Sequence, residues 1–324
     1  MTKKVALVLG VTGQDGAYLA EFLLKKNYHV IGTSRDAHAN NTTNLKNLGI
    51  HHDIQMESLA LLDFRSVVEL LRSEKPVEVY HLAGQTSVGL SFDQPIETFE
   101  SVSISTLSLL EAIRLTDLPI RFYSAGSGEV FGDTLDKPAN EESRFKPRSP
   151  YGIAKASAFW CVANYREAYK MHASTGILFN HESPFRPGRF VTQKIIHGAC
   201  KCARTGKGRL KLGNLDIARD WGWAPEYVEA MWKMLQLDEA QDFVIATGKT
   251  VTLEKFIDIA FSQFDLNWKD WVDLDPKFSR PTDIKFGSAD PRKAERLLDW
   301  KARLHVEQVI DLMTKAALEQ TDCR

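Results

Sequence analysis

Tyr151 and Lys155 stand four residues apart in SPYGIAKASAFW, so a helix beginning at Pro150 puts both on one face, about one turn apart. A lysine ammonium beside a phenol adds positive charge, which lowers the phenol's pKa and makes tyrosinate available as a base near neutral pH. The spacing alone is weak evidence, because tyrosine and lysine also share wet helix faces. A second candidate is Glu129, the one glutamate in YSAGSGEVFGD, residues 123–133. In a run of such small residues it can be a solvated turn residue, a helix cap, or a base aimed at a substrate.

A third group supplies context. The apolar run KVALVLGV leads into GVTGQDG, with glycines at 10, 13 and 16, and then into the helical pattern GAYLAEFLLKK. Glycines between a strand and a helix let backbone amides approach a pyrophosphate, whose charge is favoured at a helix amino terminus. Gly10, Thr12, Gly13, Gln14, Asp15 and Gly16 are therefore expected to hold a dinucleotide, with Asp63 and Leu82 as further contacts. Proteins that bind NAD commonly place a carboxylate at the end of the second strand, on the ribose hydroxyl. Here Ser34 and Arg35 stand there, and a hydroxyl with a guanidinium suits a 2′-phosphate, so NADP is the expected cofactor. The alternative is that Arg35 is a solvated charge and Asp36 takes the acid's place.

The elements that position these residues alternate. HVIGTS (29–34), EVYHLAG (78–84), IRFYSAG (120–126) and ASTGILFN (173–180) read as further strands, separated by helical patterns such as FRSVVELLRSE and AKASAFWCVANYREAY. Strands too apolar to have a wet face, alternating with helices, imply an α/β fold: a doubly wound parallel sheet of the Rossmann type. Residues 1–180 plus about 217–247 are read as this cofactor domain. Residues from about 181 to 216 plus 248–324, richer in Pro, Gly and charge, are read as a smaller, discontinuous substrate domain closing over the sheet's carboxyl edge. The polar stretch from Asp36 to Gly49 has no period and reads as a functional or disordered loop.

Composition narrows the partners. With 41 Lys and Arg against 42 Asp and Glu, the formal charge of -1 gives no broad field for nucleic acid or an anionic membrane. Val5–Val11 is far shorter than a membrane span of roughly 20 residues, and VLGVTGQDG lacks the features of a signal peptide. Cys161, Cys200, Cys202 and Cys323 are too few for a disulfide scaffold, and no zinc-ligand spacing occurs, so no metal and a reducing cytoplasm are expected. Asn40 and Asn41 begin glycosylation sequons, read as chance matches in a polar loop.

Together, the glycine turn and the Tyr151–Lys155 pair resemble the extended short-chain dehydrogenase/reductase family, in which a Ser or Thr after the fourth strand completes a triad. Ser127 fits that position. From about Val5 to Trp300, segments such as GILFNHESP, RFVTQKI, LGNLDIARDWGWAPEYVEAMWKMLQ and RPTDI closely resemble GDP-mannose 4,6-dehydratases. The resemblance implies Tyr151 as the base on the C4 hydroxyl, Lys155 as its electrostatic partner and Glu129 as the base that removes the C5 proton. The C6 hydroxyl then leaves as water and a hydride returns to C6. It also implies Asn180, Val191, Lys194, Arg219, Arg280 and Asp283 as contacts for the GDP portion, and a homodimer or homotetramer. Lys194, Arg219 and Arg280 can neutralise a pyrophosphate, and Asp283 can accept hydrogen bonds from nucleotide donors. Three departures stand out: Arg35 is followed by Asp36 instead of a second arginine, the base is approached through GSGE, and HESPRRG has become HESPFRPG. The last two are expected to lie near the sugar, which leaves another GDP-hexose such as GDP-N-acetylglucosamine, or a reductase of the 4-keto sugar, as alternatives.

Overall fold

Val5–Leu9 forms the strand β1, whose side chains alternate between two apolar layers with the period of two that a pleated strand imposes. Ala6 and Val8 enter one core with the helix side chains Ala17, Leu23, Tyr227 and Met231, while Leu7 and Leu9 enter another with Val67, Leu71, Leu109 and Leu110. A strand dry on both faces needs a helix layer on each side, which is the reason for the doubly wound arrangement. The computed structural model describes residues 3–37, 41–135 and 137–322, the side chains of 320–322 excepted. Asn40 and Cys323 lie outside the described residues.

In chain order, β1 is followed by α1 (Gln14–Lys25), β2 (His29–Ser34), α2 (Thr43–Asn47), β3 (Gln55–Ser58), α3 (Phe64–Glu74) and β4 (Glu78–His81). Next come α4 (Val88–Asp93), α5 (Pro95–Phe99), a π-helical turn at Glu100–Ile104, α6 (Ser105–Thr116), β5 (Arg121–Ala125), α7 (Pro150–Tyr169) and β6 (Ala173–Leu178). The remainder is β7 (Asn180–Glu182), α8 (Val191–Thr205), β8 (Leu210–Leu212), β9 (Ala218–Trp223), α9 (Ala224–Gln236), β10 (Phe243–Ile245), β11 (Thr250–Thr252), α10 (Leu253–Ser262), β12 (Val272–Leu274), α11 (Arg292–Leu298) and α12 (Val306–Asp322).

The large sheet runs β10-β6-β5-β4-β1-β2-β3, parallel throughout. Strand order reverses between β1 and β4, so the crevice for a ligand lies beyond their carboxyl ends, where the glycine turn and Leu82 sit. Two small sheets, β11-β9-β7 and β12-β8, stand apart from it. Beside them α8, α10 and α12 share an apolar core that includes Ile195, Phe256, Phe261 and Val309.

Two local expectations change. The stretch Asp36–Gly49 contains the helix α2, anchored by the buried Leu45 and by Asn44, whose Nδ2 donates to the Thr12 carbonyl at 2.9 Å. The edge strand β3, QMES, has no apolar run; it exists because β2 offers it a free ladder. Among the described residues no helix is long and apolar enough to cross a membrane.

Candidate active site

Ser149 caps α7 by accepting a hydrogen bond from Gly152 N at 3.0 Å, and Pro150 sets the first turn. That start orients the helix so that Tyr151 and Lys155 face the end of β5. Lys155 Nζ donates to the Ala125 carbonyl at 2.6 Å and lies 5.7 Å from the centre of the Tyr151 ring. Ser127 stands beside the Tyr151 phenol in the same cavity and acts to lower its pKa. Its Oγ accepts from Glu129 N at 3.3 Å, which caps a single 3₁₀ turn, Gly128–Val130. Glu129 is therefore carried on that turn instead of capping it.

The missing side chain in GSGE has a physical reason. A Cβ on Gly128 would come within 3.0 Å of the Phe179 ring, so that ring fills the space a larger residue would take. Phe185 departs from expectation as well: its ring stacks on Tyr18 of α1 at 4.8 Å and 15° and does not line the cavity. The neighbouring Arg186 and Arg189 line the cavity in its place.

One cavity of about 600 Å³ gathers most of the expected residues: Asp15, Leu82, Ser127, Glu129, Tyr151, Lys155, Asn180, Val191, Lys194, Arg219 and Arg280. Asp283 stands behind its wall. Its Oδ1 accepts from Arg219 Nη2 at 3.0 Å, Arg280 Nη1 at 3.2 Å and Ile284 N at 2.9 Å, so this carboxylate fixes two arginines. Lys194 Nζ hangs 5.2 Å over the half-exposed Phe278 ring. Gly10, Thr12, Gly13, Gln14, Gly16, Ser34, Arg35 and Asp63 lie outside that lining. Asp63 instead caps α3, accepting from Ser66 N at 3.2 Å.

The glycine turn suits a dinucleotide on its own geometry. A Cβ on Gly16 would lie 2.2 Å from the Gly10 carbonyl oxygen, so only glycine lets α1 start this close to the end of β1. The Ser34 hydroxyl, at the end of β2, is buried with no hydrogen-bond partner among the described residues, as expected of a group meant for a ligand. Arg35 and Asp36 are both exposed beside it.

Burial pushes the Tyr151 phenol up to about 12, Ser127 only partly offsetting it, and the lowering expected of Lys155 depends on a cofactor's ribose holding the ammonium near the phenol. Burial likewise lowers the Lys155 ammonium to about 8, with Asp15 acting in the opposite sense. Glu129 is raised by burial, while Arg219 and Arg280 lower it; Arg219 Nε lies 4.0 Å from its Oε1.

His181 and Arg186 line the same cavity and were given no role from sequence, although both fall in the quoted segments. The signal available was a histidine directly after Asn180 and the one arginine kept in HESPFRPG.

The parallel sheet with its glycine turn and Ser-Tyr-Lys site defines a Rossmann-fold protein of the short-chain dehydrogenase/reductase class. The family model described as GDP-mannose 4,6 dehydratase matches residues 7–313. The chain belongs to that family. It is 42% identical to the GDP-mannose 4,6 dehydratase of Drosophila melanogaster, over 98% of this chain and 86% of that protein. It is also 42% identical to GDP-mannose 4,6 dehydratase 1 of Arabidopsis thaliana, over 98% and 90% of the two chains. A solved dTDP-glucose 4,6-dehydratase from Bacillus anthracis, in complex with NAD, shares the fold with a TM-score of 0.85 at 17% identity, covering 98% of each chain.

Proposed function

We infer that this chain is a hydro-lyase that converts GDP-mannose to GDP-4-keto-6-deoxymannose with a recycled nicotinamide cofactor. The observation that carries the reading is Glu129, a mostly buried carboxylate in the same cavity as Ser127, Tyr151 and Lys155. A reductase needs only the triad, whereas dehydration also needs a base for C5.

The glycine turn, Ser34, Tyr151 and Lys155 would hold the cofactor, which supplies a hydride acceptor for C4 and a donor for C6. Tyr151 takes the C4 hydroxyl proton, with Ser127 hydrogen-bonding the same oxygen. Lys155 stabilises the phenolate by charge, countering the burial that disfavours it. Once C4 is a ketone, the C5 proton is acidic enough for Glu129 to remove it, and the C6 hydroxyl leaves as water. Arg219, Arg280 and Lys194 neutralise the diphosphate, with Asn180 and Val191 completing the GDP contacts and Asp283 holding the two arginines in place. Purified protein given GDP-mannose should yield a product lighter by one water with no net change in reduced cofactor at 340 nm. Stoichiometric consumption of NADPH would instead establish a reductase.

The finer readings rest on separate features. NADP is favoured because Ser34 has no hydrogen-bond partner among the described residues and no carboxylate occupies its position; a cofactor titration should show tighter binding of NADP than of NAD, and the reverse order would sink that choice. The two lobes are assigned as 1–180 plus about 217–247 for the cofactor and about 181–216 plus 248–324 for the GDP-sugar. A cytoplasmic location fits Cys161, Cys200 and Cys202, which are all free thiols.

A homo-oligomer, dimer or tetramer, is supported by exposed apolar side chains beside the Ser103–Ser157 hydrogen bond, where the turn before α6 meets α7: Ile104, Leu107, Ile153 and Trp160. Replacing Ile153 and Trp160 with glutamate should shift sedimentation to the monomer. Unchanged sedimentation would place the interface elsewhere.

A further inference from the structure

His181, in β7, is buried, and both its ring nitrogens face acceptors. Nδ1 lies 2.7 Å from the Phe179 carbonyl oxygen and Nε2 lies 2.9 Å from Asp15 Oδ2. A carbonyl and an ionised carboxylate offer lone pairs and no proton, so both contacts are hydrogen bonds only if each ring nitrogen carries a proton. Either neutral tautomer would set a bare nitrogen against an oxygen lone pair. The other oxygen of Asp15 accepts from Gln14 Nε2 at 2.9 Å, so the carboxylate receives donors at both oxygens, which favours its ionised form.

The surroundings are consistent with a fixed charge pair. Asp15 reaches His181 from the start of α1 and Arg186 from the loop after β7. From α9 the Tyr227 ring stacks on the imidazole at 4.6 Å and 25°. Glu182, next on the strand, is turned to Thr192 and Arg186. Burial opposes charge on His181, yet Asp15 outweighs it and the ring is raised above its ordinary value. Burial would raise Asp15, yet His181 holds it down at about 2. Gln14 locks the pair further, since its Nε2 donates to the His181 carbonyl at 3.2 Å and its Oε1 accepts from Ser183 Oγ at 2.8 Å. Asp15 and Lys155 line the same cavity, and the carboxylate favours the charged form of that ammonium.

We propose that His181 is a standing imidazolium that keeps Asp15 ionised and fixed in the cavity lining, where the carboxylate holds Lys155 protonated; His181 and Asp15 are positioning residues for the proton transfer at Tyr151. This rests on the reading of Tyr151 and Lys155 given above. It also explains how an acid can sit in a turn suited to a pyrophosphate: its charge is already matched within the protein.

The test begins with the nitrogen-15 imidazole spectrum of the full-length protein, with His181 assigned by the loss of its signals in His181→Phe. Both ring nitrogens should stay protonated from about pH 6 to about pH 8, where a free histidine loses its charge. One bare nitrogen at neutral pH overturns the proposal, and this readout needs no turnover, so it stands or falls apart from the reaction assignment. In Asp15→Asn the counter-charge is gone. His181 should then show one bare nitrogen at neutral pH, and the alkaline limb of kcat should move down by about one pH unit as Lys155 loses its proton earlier. KM for the GDP-sugar should change by less than about threefold. A lower kcat with an unmoved limb would mean that Asp15 is merely structural.

Discussion

Glu129→Gln protein should bind GDP-mannose with nearly unchanged affinity and turn it over about a thousandfold more slowly, the scale of losing one positioned general base. The amide keeps the size of the side chain and its place on the 3₁₀ turn, so Ser127, Tyr151 and Lys155 stay where they are. Calorimetric titration with GDP-mannose measures the binding, and product mass measures the dehydration. Solvent deuterium should enter C5 during wild-type turnover and almost cease to do so in the variant. Oxidation at C4 does not use Glu129, so the variant mixed with substrate should accumulate reduced cofactor that the wild type returns. Wild-type turnover in this protein would falsify the assignment of the base.

The pH profile follows from the same group. The working form needs Glu129 ionised, Tyr151 as the phenolate formed with cofactor and substrate in place, and Lys155 protonated to stabilise that phenolate. Glu129 is raised, so activity climbs with pH through a limb above the ordinary glutamate range. Lys155 is lowered to about 8, so activity falls again near that pH.

How much of this could be read before any coordinates depends on whether the determinant is local. The passage from β1 through the glycine turn to α1 was legible because strand, turn and helix each carry their own periodicity within about 25 residues. The Tyr151–Lys155 spacing was legible for the same reason. The short strands β7, β9 and β11 were not, since three to six residues leave no usable alternation, and β9 runs straight into the pattern of α9. The rise of the Tyr151 phenol by burial was not legible, because spacing reveals a neighbouring charge and says nothing of burial. Asp15 and His181 meet across 166 residues of sequence, and no local pattern announces such a pair. The motif FNHESP marked the segment as belonging to the site, yet the histidine's charge depends on a partner from the start of α1, far away in sequence.

Arg219→Met should be the most damaging change in the substrate wall, and its effects should be separable. Arg219 is 6% exposed, and its guanidinium donates to Asp283 and the Ala218 carbonyl and is the foremost influence lowering Glu129. Methionine fills similar space but leaves the Asp283 and Glu129 carboxylates with only Arg280 against them. Removing one partner from a buried ion pair costs about 3 kcal/mol, so the midpoint of thermal unfolding should drop by about 4 °C in a chain of this size. The second effect is on chemistry. Without Arg219 the Glu129 carboxyl rises further, so at a given pH less of it is ionised, and the acid limb of kcat moves to higher pH. Lys155 still caps the profile near pH 8, so the active window narrows from its acid side. Arg219→Lys, which restores a positive charge without the fork that reaches both acids, should recover part of the limb's position and less of the stability. A variant that loses GDP-mannose affinity but keeps the wild-type acid limb would show that Arg219 serves the diphosphate alone. The electrostatic link between the substrate wall and the C5 base would then be absent.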